Sequence, residues 1–464
     1  MAGGSQGRVR VAVVGGGIAG LSAARRLEAL DPGAEVVVVE PDSVLGGKVR
    51  TERIGGFVIE AAPDSFLSRK ERGVGLCEEL GLGGELVGRR PENHRTYVRR
   101  GAELLRLPEG LTGMIPTNLD ALERSALLSE EGRARFSAEP DAPVAGGDED
   151  ESVAAFVTRR FGRESYDALV EPLMTGIYGG DGEQLSLRAT FPQLRALELE
   201  HGSLLRALPV QPAPAERPPF VSLRGGMDVL VTTLVSRLER TTVVRRAALA
   251  VGRTAGGYEL ALGEGESLRT DGVVVATPAY VAAGLLEKLD PELADAHVSI
   301  PYASSVVVTL AFSTDQVAPL DGYGYVIPRA EGGDVLACTW SSHKWEGRAP
   351  EGSALVRVYA GRFGGRDLTD SADGELVELA RRELALLDVT AEPTLIRVQR
   401  WPRGMPQYVL GHPERVERIE GLVAEHAGIA LAGAAYRGVG VPDCIASGEA
   451  AAESVAQALV GTRV

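Results

Sequence analysis

Three glycines near the N-terminus constrain this chain more than any other feature of its sequence. Gly15, Gly17 and Gly20 match the pattern GxGxxG; they follow the apolar run Val11–Val14 and lead into a helical segment from Ile18. The first glycine permits a sharp turn, the second lets a pyrophosphate approach the backbone, and the third lets helix and strand pack closely. The N–H groups and positive dipole end of the helix favour a bound phosphate. The pattern therefore predicts a dinucleotide site.

A second strand and a second pair of glycines extend this unit. The apolar segment EVVVVE ends at Glu40, where a carboxylate can bind the hydroxyl groups of a ribose. Gly46 and Gly47 would bring a further stretch of backbone close to the cofactor, and Lys48 could reach a phosphate or a carbonyl oxygen. Together these features favour a dinucleotide site over a purely structural glycine turn.

The pattern of the chain then changes several times. Helical patterns dominate residues 110–220, which end in the proline-rich connector PVQPAPAERPPF. From residue 304 a series of strands predicts an antiparallel sheet able to floor a ligand cavity. Strand, glycine and helix patterns return after residue 221 and near the C-terminus. We therefore predict a nucleotide-binding domain in three parts (1–90, 221–300 and 399–464), a substrate domain (hairpin 91–109 and sheet 301–398) and a helical insertion (110–220).

Charge and composition exclude several classes of function. A formal net charge of −15 argues against a general nucleic-acid binder, because phosphate affinity needs clustered cations. Cys77, Cys338 and Cys444 form no CxxC, and the six histidines show no metal-binding spacing, so we expect no disulfide framework and no metal. No apolar run approaches the roughly 20 residues of a membrane span. We expect a cytoplasmic protein with at most peripheral membrane contact.

Several motifs resemble the flavin-dependent porphyrinogen oxidases, which belong to the wider group of amine oxidase and phytoene desaturase flavoproteins. GGGIAGLSAA and LGGKVRT are shared by that whole group and imply only FAD. EPLMTGIYGGD, RWPRGMPQY and AYRGVGVPDCIASG follow in the order of the porphyrinogen oxidases. PDSFLSRK and ACTWSSHKW are most similar to the soluble Gram-positive branch, which is associated with coproporphyrinogen III rather than protoporphyrinogen IX.

The resemblance implies an α/β fold in which a Rossmann-like FAD-binding domain, of the amine oxidase or PHBH type, carries an antiparallel-sheet substrate domain and a helical insertion. It also implies that FAD is bound without a covalent link. Matched by motif, the glycine turn and Glu40 would hold the adenosine half, the segment from Ala62 would line the isoalloxazine, and Leu249 would meet the adenine through its backbone. The implied FAD contacts are Gly15, Gly16, Gly17, Ile18, Ala19, Gly20, Glu40, Pro41, Lys48, Ala62, Pro63, Asp64, Ser65, Leu249, Trp401, Val439, Gly440 and Val441.

The reaction of the resembled family removes six electrons from a porphyrinogen, and oxygen then re-oxidises the flavin with formation of hydrogen peroxide. The resemblance therefore implies oxidation of coproporphyrinogen III to coproporphyrin III in haem biosynthesis, with protoporphyrinogen IX as the alternative substrate. The expected partners are the porphyrinogen and molecular oxygen, and a haem-pathway enzyme could receive the product. No partner nucleic acid is expected.

Four residues are candidates for contact with the substrate. The substrate carries carboxylates, which need cations at the edge of the cavity. Arg95 in HRTY matches the position where many family members anchor a propionate, although its basic stretch could also be a solvated hairpin face. Lys70 could meet a second carboxylate. Tyr359 could line the cavity or only pack in the sheet, and Gly176 could offer a free carbonyl to pyrrole N–H groups or only end a helix.

Two other classes of function compete with this interpretation. A flavin amine oxidase would need an aromatic cage and a lysine poised over the flavin; the sequence shows no such pair but leaves Lys344 open for the role. A non-catalytic protein that binds FAD or delivers porphyrins is the third hypothesis. Turnover of porphyrinogens or of amines would distinguish the three.

Overall fold

The computed structural model of the chain describes residues 8–112, 114–145, 149–208, 217–317 and 321–461. Of the predicted connector at 209–220, residues 209–216 therefore lie outside the described residues. Within the described ranges, no helix is both long and apolar enough to cross a bilayer.

A five-stranded parallel sheet forms the centre of the nucleotide-binding domain. Arg10–Val14 lies in the middle, with Glu35–Val39 and then Thr241–Val244 on one side, and Gly272–Val275 and then Ile429–Leu431 on the other. The inner strands are rich in buried valine because helices and loops cover both faces of a parallel sheet. Strands that are distant in sequence thus meet in one sheet.

The first helix, Ile18–Leu30, and the C-terminal helix, Val441–Gly461, pack directly against each other on this sheet. Their backbones approach so closely at Gly448 that a Cβ there would lie 2.0 Å from the carbonyl oxygen of Ala19. The glycine is therefore required for the contact, since any side chain would push the helices apart. This contact brings the starts of both helices to the same end of the sheet.

A seven-stranded sheet forms the body of the region predicted as the substrate domain. Its neighbouring strands are antiparallel, except that Gly324–Val326 runs parallel to Tyr97–Arg100. The predicted hairpin around Gly101 forms one edge of this sheet. The predicted boundary at residues 398 and 399 is wrong for the sheet, because the last strand continues to Pro406 and pairs with its neighbour along that length. In order, the strands are Leu395–Pro406, Tyr302–Ser313, Ser353–Ala360, Val335–Trp340, Gly324–Val326, Tyr97–Arg100 and Glu103–Arg106.

Alternation along the strands gives this sheet two different faces. On one face Val308, Val358 and Cys338 pair across three strands and pack under the helix Asp373–Ala385. The opposite face carries more polar and less completely buried side chains. Its central cross-strand row consists of Val326, Ala337, Tyr359, Val307 and Gln399.

The helical insertion has a hydrophobic core of its own, which includes Phe136, Phe156 and Phe161. Arg160 is fully buried beside it and pairs with the buried carboxylates of Glu139 and Glu198. The helices are Leu119–Glu123, Glu130–Ser137, Val153–Phe161, Arg163–Ser165, the π-helical turn Tyr166–Val170, Glu171–Tyr178, Leu187–Thr190, Pro192–His201 and Leu204–Ala207. A two-stranded hairpin, Leu111–Thr112 with Ile115–Pro116, precedes them.

Smaller elements connect these bodies. Three small sheets consist of Thr51–Ile54 with Phe57–Glu60, of Phe66–Leu67, Phe220–Leu223 and Leu86–Gly88, and of Ala248–Thr254, Gly257–Leu262 and Ser267–Thr270. The remaining α-helices are Glu71–Glu79, Asp228–Ser236, Ala279–Leu286, Pro291–Val298, Ser341–Lys344 and His412–Ala424. Single 3-10 turns lie at Gly83–Glu85, Pro91–Asn93, Glu139–Asp141, Gly263–Gly265 and Arg329–Glu331.

Candidate functional site

Two glycine turns lie against each other at the end of the parallel sheet. The N–H of Gly46 donates to the carbonyl oxygen of Gly16 at 2.8 Å, and Gly17 pairs with Gly46 as in a parallel ladder. A Cβ on Gly20 would lie 1.9 Å from the carbonyl oxygen of Gly15, so this glycine is needed for packing. A Cβ on Gly17 would have its nearest neighbour at 4.0 Å. Packing therefore does not require a glycine at position 17, whereas a phosphate approaching the backbone would.

Polar groups around these turns fit an FAD. Glu40 ends its strand beside the turn, and its carboxylate accepts from the N–H of Gly16 at 2.7 Å and of Asp42 at 2.9 Å. Lys48 is half-buried, burial lowers its pKa, and no described residue pairs with its ammonium group. The hydroxyl group of Thr277 is buried near Gly15 without a hydrogen-bond partner among the described residues. A bound pyrophosphate would supply partners for such groups.

The predicted adenine contact lies at an irregularity in a strand. Pairing between Ala248–Thr254 and Gly257–Leu262 shifts between Ala248 and Ala250, which leaves Leu249 without a partner residue in the ladder. Backbone groups at such a bulge are available to the edge of a base. Pro41 directly follows Glu40 at the surface.

The segment predicted to line the isoalloxazine is held by the less apolar face of the seven-stranded sheet. Trp401 donates from Nε1 to the carbonyl oxygen of Ala61 at 3.0 Å, and Arg357 donates from Nη2 to that of Ala62 at 2.8 Å. The hydroxyl of Ser222 donates to the carbonyl oxygen of Asp64 at 2.6 Å. These bonds fix the backbone of this segment, including Pro63, between the FAD-binding domain and the substrate domain.

Asp64 is the centre of a polar cluster behind that segment. Its carboxylate accepts from Nζ of Lys344 at 2.8 Å, from Nε1 of Trp345 at 3.1 Å and from the hydroxyl of Ser65 at 2.7 Å. Burial alone would raise the pKa of Asp64, but Lys344 and Arg357 outweigh burial and lower this pKa below its usual value. Burial also lowers the pKa of Lys344, which Asp64 opposes. Asp64 is thus a carboxylate held by buried cations.

The structure brings Tyr359 and Gly176 to the same face of the large sheet. Tyr359 is half-buried in the row that includes Ala337 and Val326, and a Cβ on Gly176 would contact Val326 at 3.4 Å. Burial raises the pKa of Tyr359 to about 12, so its hydroxyl keeps its proton at neutral pH. Gly176 lies inside the helix, which ends at the left-handed Gly179, and no described N–H donates to the Gly176 carbonyl oxygen.

The start of the C-terminal helix lies between the FAD-binding domain and the helical insertion. The N–H of Gly440 donates to Asp443 at 3.1 Å, and the hydroxyl of Tyr408 accepts from the N–H of Gly438 at 2.8 Å. Val439 packs against the core of the helical insertion, and Val441 is buried at the first helical position. Residues 439–441 therefore join the core of the helical insertion to the core around the parallel sheet.

Lys70 and Arg95 are both paired at the protein surface. Nζ of Lys70 donates to Asp443 at 2.6 Å, beside the start of the C-terminal helix. Arg95 forms an exposed ion pair with Asp321, which also accepts from the hydroxyl of Tyr97 at 2.6 Å. Substrate contact by either cation remains a prediction, because each would have to exchange its present partner for a substrate carboxylate.

Sequence reasoning missed most of the polar cluster. Arg357 carries no motif that distinguishes it from other strand residues, and Trp345 is only the last residue of ACTWSSHKW in the sequence. In the sequence, Arg89 is only one of several arginines in the basic stretch around Arg95, although its guanidinium lies over the rings of Phe220 and Tyr323. These residues come from distant parts of the chain, so no spacing could have linked them.

Comparison with known proteins identifies the family. The model of the flavin-containing amine oxidoreductase family matches residues 18–456. The coproporphyrinogen III oxidase of Bacillus subtilis is 34% identical, with 96% of this chain and 98% of that protein covered. The Staphylococcus aureus protein of the same name is 32% identical, with 96% and 98% covered.

Solved structures show the same relationship. A crystal structure from Exiguobacterium sp. 255-15, provisionally named a protoporphyrinogen oxidase, superposes with a TM-score of 0.87 at 33% identity, covering 97% of this chain and 99% of that one. The predicted fold class is therefore confirmed. FAD is the cofactor of the family, and the glycine turns fit its pyrophosphate. The chain belongs to the flavin-containing amine oxidoreductases, within the family of the coproporphyrinogen III oxidases.

Proposed function

We propose that this enzyme oxidises coproporphyrinogen III to coproporphyrin III with non-covalent FAD and molecular oxygen. Six electrons and six hydrogen atoms leave the substrate, so three molecules of oxygen become three molecules of hydrogen peroxide. The observation that carries the proposal is the similarity to coproporphyrinogen III oxidases over nearly the whole chain. Protoporphyrinogen IX is the second candidate substrate, since the chloroplast protoporphyrinogen oxidase 1 of Spinacia oleracea is 28% identical over 96% of this chain.

The described residues suit this chemistry. Bound FAD would accept the hydride equivalents and pass electrons to oxygen. Trp401 and Arg357 would hold the segment that lines the isoalloxazine, because they already bind its backbone carbonyls. The Tyr359 hydroxyl stays protonated at neutral pH and would serve as a hydrogen-bonding wall rather than a base. The carbonyl oxygen of Gly176, which accepts from no N–H in the described part of the chain, would accept from a pyrrole N–H.

The cations near the flavin segment favour the substrate with more carboxylates. Lys344 and Arg357 both lie within 4 Å of one carboxylate, that of Asp64, and the charge of Asp64 also acts on Arg89. An amine oxidase would instead need an unprotonated or cage-bound amine beside the flavin, and Lys344 is engaged by Asp64. The positive excess disfavours a cationic amine substrate and favours a polyanionic one.

Purified holoenzyme should be supplied, in air, with coproporphyrinogen III, protoporphyrinogen IX and simple amines in separate assays. We expect porphyrin fluorescence and peroxide with both porphyrinogens, and a higher kcat/KM for coproporphyrinogen III. Peroxide formation that depends on amines, without turnover of either porphyrinogen, would contradict the proposal. A higher kcat/KM for protoporphyrinogen IX would replace the preferred substrate but not the reaction class.

Replacement of Arg95 by alanine tests the predicted propionate anchor. We expect the KM for coproporphyrinogen III to rise about tenfold, because a charge-assisted hydrogen bond is lost, while FAD content stays unchanged. Arg95 is exposed, and among the described residues its one ion pair is with Asp321, so the fold should tolerate the change. Steady-state kinetics and the flavin-to-protein absorbance ratio provide the measurements.

Arg163→Ala is a matched control, since Arg163 is also an exposed arginine in carboxylate ion pairs but lies in the helical insertion. Its KM should equal that of the wild type. An unchanged KM in Arg95→Ala would assign Arg95 to a solvated hairpin face, the alternative that its surface ion pair also allows.

A further inference from the structure

Arg89 is held in an aromatic clamp. Its guanidinium carbon lies 4.8 Å from the ring centroid of Tyr323 and 5.0 Å from that of Phe220. Both distances are within the range of a cation–π interaction. The hydroxyl of Tyr323 donates to the backbone carbonyl of Arg90 at 2.8 Å, so the clamp is anchored to the segment it holds. The two rings restrict the guanidinium, while its N–H groups remain available at the edges.

No described residue accepts a hydrogen bond from the Arg89 side chain or forms an ion pair with it. Other arginines that are buried have such partners: Arg99 pairs with Glu383, and Arg348 pairs with Glu60. Arg89 is half-buried, and burial lowers its pKa. A partly desolvated cation without an acceptor is costly, and the cost is removed when a ligand supplies the missing carboxylate.

The surroundings of Arg89 strengthen its need for an anion. The N–H of Arg90 donates to the carbonyl oxygen of Lys344 at 3.1 Å, which places the clamp beside the Lys344 and Asp64 pair. Arg357 is a further cation near Asp64, with Nη1 at 3.9 Å from the carboxylate. The single carboxylate of Asp64 is fully used by its own partners. The cluster therefore retains excess positive charge next to the segment that lines the flavin.

We propose that Arg89, clamped by Phe220 and Tyr323, is a second carboxylate-binding residue that anchors a propionate of the substrate close to the flavin. This assignment rests on the proposed function. A guanidinium edge binds a carboxylate through two parallel hydrogen bonds, which fixes the orientation of the macrocycle as well as its affinity. Arg95 follows Arg89 on the same segment. Its carbonyl oxygen accepts from the N–H of Tyr323 at 2.8 Å, so the same tyrosine contacts both arginines. Two anchors on one segment suit a substrate with several propionates.

A double-mutant-style cycle, in which one change is made in the protein and the other in the substrate, tests this assignment. Wild type and Arg89→Gln holoenzymes are assayed with coproporphyrinogen III and with its tetramethyl ester, both in the same detergent. We expect the KM for the acid to rise about tenfold or more in Arg89→Gln, as the loss of a charge-assisted bond implies, and the KM for the ester to stay unchanged. Arg89→Lys keeps the charge without the planar fork and should give an intermediate KM for the acid.

Arg90→Gln is the matched control, because the adjacent Arg90 side chain is exposed and pairs with Glu92. It should leave the KM for both substrates unchanged. An equal change of KM for acid and ester in Arg89→Gln, or no change for either, would overturn the assignment while leaving the proposed function intact. Loss of FAD at an unchanged KM would also overturn it, because Arg89 would then serve the cofactor. A wild-type enzyme that oxidises neither porphyrinogen would overturn both.

Discussion

Replacement of Gly17 by alanine is expected to give a folded protein that no longer retains FAD. Gly17 has φ −73°, which alanine adopts without strain, and its added Cβ would have no described atom closer than 4.0 Å. The fold should lose at most about 1 kcal/mol, the typical cost of alanine at a helix N-cap. The methyl group would, however, occupy the approach of the pyrophosphate to the backbone. We expect FAD affinity to fall at least about a hundredfold, since one blocked approach removes several phosphate contacts.

Two glycine variants control this experiment. Gly20→Ala would place Cβ 1.9 Å from the carbonyl oxygen of Gly15, so we expect misfolding rather than selective loss of FAD. Gly284→Ala adds a methyl group that meets nothing within 4 Å, so flavin content should be unchanged; Tm should not fall and should rise slightly, because alanine is the better helix former inside Ala279–Leu286. Flavin absorbance relative to protein absorbance, and thermal unfolding of the stripped proteins, measure the two effects. Full flavin content in Gly17→Ala would show that the turn does not bind the pyrophosphate.

Replacement of Asp64 by asparagine is expected to destabilise the protein by about 3 kcal/mol, the lower end of the cost of breaking a buried ion pair. The side chains of Asp64 and Lys344 are 11% and 19% exposed, so Lys344 would lose its partner in a poorly solvated place. Arg357, which also binds the Ala62 carbonyl, would lose the same carboxylate. Because these groups hold the segment predicted to line the isoalloxazine, FAD content should fall as well.

The stability difference between the wild type and Asp64→Asn should depend on pH in a defined direction. The pKa of Asp64 is lowered in the folded protein, so its contribution is fully present above the unfolded pKa of about 3.9 and is lost as pH falls further. We expect denaturant unfolding to show a constant difference between about pH 5 and 7 and a smaller one below about pH 4. A difference that does not change with pH would mean that the Asp64 charge does not stabilise the fold.

Ser65→Ala is the companion control for Asp64→Asn. It removes one neutral hydrogen bond to the same carboxylate but no charge. We expect it to cost about 1 kcal/mol with no change in the dependence on acid pH. An effect as large as that of Asp64→Asn would indicate that hydrogen bonding, rather than charge, holds the segment.

The parts of the fold that could be predicted from the sequence depend on local patterns. The glycine turn from Gly15 to Gly20 was predictable because its spacing is local; Gly20, for example, packs against Gly15 of the same strand–turn–helix unit. The strands around Val306 and Val356 were predictable from their β-branched composition. Domain boundaries were less predictable. The strand Leu395–Pro406 crosses the predicted boundary because its pairing with a distant strand, rather than its own composition, decides where it ends.

By itself the sequence determined the cofactor class and the family, because these follow from residues that are neighbours along the chain. Only the tertiary structure decided which cations of the basic stretch have a counter-ion. It paired Arg95 with Asp321 at the surface and left Arg89, six positions earlier in the same basic stretch, clamped between Phe220 and Tyr323 without an acceptor among the described residues. The physical reason is that an ion pair depends on the distance between two charges in space, whereas Asp321, Phe220 and Tyr323 lie far from this stretch in sequence.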